Sequence, residues 1–155
     1  MTDTSIHLAL RESVVEVLEK MFFVEAITDL APEIAAQSPA VLVALQFDGN
    51  PPGVFRMSLA RTAAALIAAD FLGEDPESLT VPQVEEVAKE LANMICGAVL
   101  SRIESRVTFR LAAPELVTQD AISGTVCTVE TGSGMLTAGI DMETRTCSTT
   151  ARSAS

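Results

Sequence analysis

The longest run of the chain that keeps a helical pattern extends from Val81 to Ser105, and it sets terms for everything around it. Thr80 offers a capping side chain and Pro82 suits a first helical turn, so the helix is expected to open there. With about 100° of rotation per residue and Leu91 at the centre of the buried side, Val84, Val87, Ala88, Ile95 and Ala98 lie within about 60° and form a core stripe. Such a stripe needs an apolar surface to cover it.

The rest of the chain supplies strands in pairs. Val41 to Asp48 and Val54 to Leu59 flank the turn residues Gly49-Asn50-Pro51-Pro52-Gly53, which predicts a hairpin. Gly124 to Thr131 and Met135 to Met142 flank Gly132-Ser133-Gly134 in the same manner, and Val107 to Leu111 reads as a further strand before a loop from Pro114 to Asp120. Asp3, Thr4 and Ser5 offer N-caps to a first helix reaching about Ala26, in which Ile6, Leu10, Val14, Val17, Leu18, Met21 and Phe22 recur at helical spacing. Pro32 and Pro39 bound a linker, and Arg61 to Leu72 predicts a short helix with Leu66, Ile67 and Phe71 on one side, closed by Gly73. Helices and strands in blocks argue an α+β class: an antiparallel sheet with a long first helix and a long later helix packed on it. Residues 1–143 are expected to form a single domain, and the Ser/Thr-rich residues 144–155 a disordered tail.

Composition excludes several chemistries. A net charge of −11 repels phosphate backbones and anionic lipid heads, and with no Trp or Tyr there are few platforms on which to stack bases, so no nucleic-acid partner is expected. No segment has the roughly 20 apolar residues of a membrane span, and the N-terminus lacks a signal-peptide pattern, which together predict a cytoplasmic protein with no membrane partner. His7 is the single histidine and has no Ser or Cys nucleophile in a motif around it. Cys96, Cys127 and Cys147 are odd in number and widely spaced, which argues against a zinc site or a disulfide framework; the first two read as small hydrophobes. No phosphate-binding glycine loop is present.

What remains is the side of the long helix away from its core stripe. Glu86, Glu90, Asn93, Gly97 and Glu104 project there within a band about 60° wide. Asn and Gly in the exposed middle of a helix oppose local propensity, at a cost of up to about 1 kcal/mol for the Gly alone. A bland account is a solvated acidic face with an incidental Asn and a Gly lying beneath a neighbouring loop. A sharper one is a rigid ridge: an anion for a partner's cation, an amide that both donates and accepts, and a gap permitting close approach.

Glu90-Leu91-Ala92-Asn93-Met94-Ile95-Cys96-Gly97 resembles the E-x-x-N-x-x-x-G helix of the CheC, CheX and FliY phosphatases of bacterial chemotaxis, and the element order resembles a CheX-like domain. The resemblance implies a hydrolase that removes the aspartyl-phosphate of a CheY-like receiver domain, with the helix inserted at the receiver's active site. Asn93 would orient the attacking water and Glu90 would pair with the receiver's lysine, while Glu86 and Gly97 would take part in docking. The chain itself would bind no metal or cofactor, the Mg²⁺ being supplied by the receiver. The comparable Glu12-Ser13-Val14-Val15 of the first helix has valine where asparagine is required, so a single site is expected. The single-site pattern further implies a homodimer, with the edge of the Gly124–Met142 hairpin as its pairing surface. Two other functions remain open at this stage: a catalytically silent adaptor for a receiver or a flagellar switch component, and a homodimeric structural domain unconnected with phosphate.

Overall fold

A computed structural model describes residues 3–26, 40–103, 108–118 and 122–142. Its spine is an antiparallel sheet of six strands: β1 (Ala40–Asp48), β2 (Gly53–Ala60), β3 (Arg110–Leu111), β4 (Glu115–Val117), β5 (Thr125–Glu130) and β6 (Met135–Met142). The spatial order is β3-β1-β2-β6-β5, with β4 also paired to β1. Alternation along the strands sends one set of side chains to a common face, because successive residues of a strand point to opposite sides. One row across that face reads Val41, Leu59, Leu136, Val129, and the next reads Val43, Met57, Ala138, Cys127. All eight are buried.

Three helices cover this face: α1 (Asp3–Glu16), α2 (Arg61–Leu72) and α3 (Val81–Ile103). The sheet face and the helices share one core, with Leu10, Leu18, Ile67, Leu91, Ile95 and Leu100 among its fully buried members. The α+β expectation, with a long first and a long later helix on an antiparallel sheet, matches this architecture. No helix among the described residues is long and apolar enough to cross a membrane.

Several local expectations are corrected. The first helix ends earlier than Ala26: it passes into a wider turn at Val17–Met21, Phe23 adopts a left-handed φ of 59°, and the Val24 N–H donates to the Leu18 carbonyl at 2.8 Å. Asp3, Thr4 and Ser5 lie inside its first turn rather than before it, and Met21 is half exposed. The loop expected at Pro114–Asp120 contains β4, whose Leu116 and Val117 register with Val43 and Leu42 of β1. In α2, Ile67 is buried but Leu66 and Phe71 are each 43% exposed; the buried side is made by Ala63, Ala64, Ala68 and Ala69 around Ile67. The 32–39 linker, the end of the long helix at 104–105, Cys147 and the 144–155 tail lie outside the described residues.

The two hairpins form where the turn residues stand. In the second, Thr131 N–H donates to the Gly134 carbonyl at 2.9 Å. A Cβ on Gly134 would lie 2.7 Å from the Ala60 Cβ, so only glycine lets the turn sit against the start of α2, where the Thr62 hydroxyl donates to the Ser133 carbonyl at 2.6 Å. At the far end of the helical layer, Arg102 of α3 donates to the buried Ser13 hydroxyl at 3.1 Å and to Glu16 Oε1 at 2.6 Å, with Glu12 Oε1 3.8 Å away. That clasp fixes α1 to α3. Its guanidinium, with a smaller contribution from Lys20, holds the Glu16 carboxyl below the usual carboxylate range.

Candidate functional site

The helix that bears the ridge begins on a two-way cap. The Thr80 N–H donates to Gln83 Oε1 at 2.8 Å and the Gln83 N–H donates to Thr80 Oγ1 at 3.3 Å, so two otherwise orphaned donors are satisfied. Arg61, the first residue of α2, reaches Glu85 at 3.7 Å and links the two helices near that start.

The buried arc of α3 is wider than one stripe. Taking Leu91 as zero and about 100° per residue, it runs from Val87 near −40° through Val99, Ala92, Ile103 and Cys96 to Leu100 near 180°. Val84 and Ala98, expected in the stripe, lie within this arc and pack against the core, but are only half-buried. The reason is packing on more than one side: α3 touches β1 and β2 below and is flanked by α1 and α2. Asn93, Glu86, Gly97 and Glu90 occupy the remaining narrow arc, near 200°, 220°, 240° and 260° on the same scale. The structure therefore brings these four residues onto one ridge, while Glu104 falls outside the described residues.

Glu86 and Glu90 are exposed, Asn93 and Gly97 half-buried. The Glu86 carboxylate is held by Lys89 at 2.7 Å. Among the described residues neither Glu90 nor the Asn93 amide has a hydrogen-bonding or ionic partner, so both are turned to whatever approaches. A Cβ added to Gly97 would meet nothing within 4 Å. Among the described residues no loop covers that glycine, and none of them gives it a packing need, which disfavours the bland explanation for it. Behind the ridge, Cys96 is fully buried and desolvation pushes its thiol up to about 12, so it stays protonated and inert.

Sequence reasoning missed one neighbour of the ridge. Phe71 and Leu72, at the end of α2, join Pro82, Gln83, Glu86, Val87 and Glu90 around an open groove of about 460 Å³. The sequence shows Phe71 among the apolar residues on one side of α2, but that pattern alone does not reveal that it and Leu72 border the ridge. Among the described residues no group of three or more His, Cys, Asp or Glu side chains converges to hold a metal ion.

This helix-on-sheet arrangement has known counterparts. The crystal structure of the chemotaxis protein CheX from Vibrio vulnificus superposes with a TM-score of 0.74 at 20% identity, covering 92% of this chain and 99% of that one. A CheC-like superfamily protein from Shewanella sp. PV-4 gives 0.69 at 19% identity over 93% and 100% of the two chains. A chain of the CheX-CheY-BeF3-Mg²⁺ complex from Borrelia burgdorferi gives 0.68 at 16% identity, covering 88% and 97%. Compared with curated protein sequences, the chain matches none. At these identities the structural likeness speaks for the fold, and it is the sequence match to the family described as "Chemotaxis phosphatase CheX", over residues 41–137, that extends to lineage. With more than half of its length in that match and the E-x-x-N-x-x-x-G ridge carried on its longest helix, the chain belongs to the CheX family of chemotaxis phosphatases.

Proposed function

We propose that the chain hydrolyses the aspartyl-phosphate of a CheY-like receiver domain by laying α3 across the receiver's active site. The observation that carries this reading is the pairing of Glu90 and Asn93 one helical turn apart on one ridge, neither engaged by another described residue, beside the open space at Gly97. Phosphoryl transfer asks little covalent chemistry of a protein and depends on positioning and charge stabilisation. The Asn93 amide accepts from and donates to a water held in line with the phosphorus. As that water's oxygen bonds to phosphorus, the bond to the aspartyl oxygen breaks, leaving a free carboxylate and inorganic phosphate that takes up the water's protons. Glu90 forms a charge-assisted pair with the receiver's lysine and so fixes the depth and register of the helix. The Mg²⁺ that supports this chemistry belongs to the receiver, as the composition of the Borrelia complex suggests by analogy.

We further infer that two chains pair through β5. It stands at the end of the strand order, and among the described residues its outer edge has no strand beside it, which is the geometry for sheet extension by a second copy.

The test is the decay of a phosphorylated CheY-like receiver with and without this chain. Wild type accelerates decay; Asn93→Ala loses at least about 100-fold of that acceleration, in the range typical of a single positioning group, while binding and thermal stability are retained. An Asn93→Ala protein as fast as wild type overturns the role given to the amide. Binding without acceleration by the wild type replaces the phosphatase with an adaptor.

A further inference from the structure

We propose that the groove between the end of α2 and the first turns of α3 is the second half of the docking surface, receiving an apolar side chain of the receiver that stands next to the lysine taken by Glu90. The inference rests on the receiver reading above and names what recognises that partner. Glu90 belongs both to the ridge and to the groove wall, so a surface that delivers a cation to Glu90 comes to stand beside Phe71, Leu72 and Pro82.

The chemistry of the groove is one-sided. Its floor is apolar and its rim carries Glu86 and Glu90. Lys89 neutralises Glu86 at 2.7 Å, which leaves Glu90 as the rim carboxylate facing a partner's cation. A complementary surface is therefore an apolar side chain flanked by a basic one, an arrangement in which a desolvated anchor supplies affinity and a charge supplies register. The groove is also held in shape. Phe71 stacks on the buried Phe22 just past the first helical segment, with ring centroids 4.9 Å apart and planes 27° from parallel. Leu72 is 39% exposed, with the left-handed Gly73 behind it ending the helix. Docking onto a preformed groove avoids the cost of ordering side chains on contact.

Leu72→Gln removes the apolar wall without touching the Phe71 stack, and Leu66→Gln is its control, since Leu66 is exposed on the same helix but does not line the groove. Each protein is titrated into a panel of purified CheY-like receivers activated with beryllofluoride and Mg²⁺, and the decay of phosphorylated receiver is followed in parallel. The expected result is a Kd raised at least tenfold by Leu72→Gln and unchanged by Leu66→Gln, with the decay rate at saturating chain equal to wild type. A Leu72→Gln protein that binds as wild type does, in the same experiment in which Asn93→Ala loses catalysis, overturns the groove and leaves the phosphatase reading standing. Weakened binding by Leu72→Gln with no acceleration by the wild type upholds the groove and overturns the phosphatase. Equal weakening by both leucine variants, or no binding of the wild type to any receiver, overturns the groove.

Discussion

Gly97 offers a test in which folding and function are expected to move in opposite directions. It lies inside α3, six residues from the last described residue of the helix, with ordinary helical backbone rather than a left-handed φ. An added Cβ meets nothing within 4 Å, so no clash opposes the gain in helix propensity. Gly97→Ala is therefore expected to stabilise the fold by about 0.8 to 1 kcal/mol, which raises Tm by roughly 2 to 4 °C for a chain of this size. Gly97→Leu gains a similar amount, since leucine is nearly as good a helix former. On the proposed reading, however, each added atom would stand where the receiver comes close. The leucine variant is expected to lose at least tenfold in kcat/KM, which corresponds to about 1.4 kcal/mol of docking energy, and the alanine variant an intermediate amount. Urea or thermal unfolding by circular dichroism reads the first effect and receiver dephosphorylation the second. A Gly97→Leu protein less stable than wild type would show that the position is packed, and one of full activity would refute the close-approach role.

Further outcomes concern the Arg102 clasp and the thiol behind the ridge. Arg102→Met leaves the buried Ser13 hydroxyl without its donor and is expected to cost about 1 to 3 kcal/mol in urea unfolding, with no change in chemistry at saturating receiver; Glu16 keeps Lys20, at 3.3 Å. Because Glu16 titrates below its usual 4.5 when folded, its contribution is complete above that pH and is lost as pH falls through the lower folded value; the acid limb of stability should therefore flatten in Arg102→Met. Native Cys96 should resist thiol reagents at pH 8 until the protein unfolds, and Cys96→Ser, which buries a hydroxyl beneath the ridge, is expected to cost about 1 to 3 kcal/mol.

The ridge was legible in the sequence because it obeys a single local rule: residues three and four apart on a helix share a face. The hairpins were legible for the same kind of reason, since their glycines mark the turns and the strands between them alternate. What escaped depends on how elements meet. β4 has three residues, too few for alternation to register, follows Pro114, and exists because β1 has a free edge next to β3, where the Ala112 N–H donates to the Gln46 carbonyl at 2.9 Å. The wide buried arc of α3 escaped because Ala92 and Cys96 are small and do not stand out as a hydrophobic stripe, yet two flanking helices cover them. Periodicity puts Leu66, Ile67 and Phe71 on one side of α2 without saying which of them the sheet covers; Ala63, Ala64, Ala68 and Ala69 pack inward around Ile67, and Phe71 and Leu72 at the helix end are left partly outside.

On the proposed reading, the Arg102 clasp also bears on the valency of the molecule. It draws Glu16, and more distantly Glu12, of α1 to an internal cation, and Val15 stands where a second ridge would need an asparagine, so each chain would engage one receiver at a time. Titrating activated receiver into the chain should then give a break at equimolar ratio whether the chain is single or paired. The signal-terminating capacity of a cell would scale in simple proportion to the number of copies it makes.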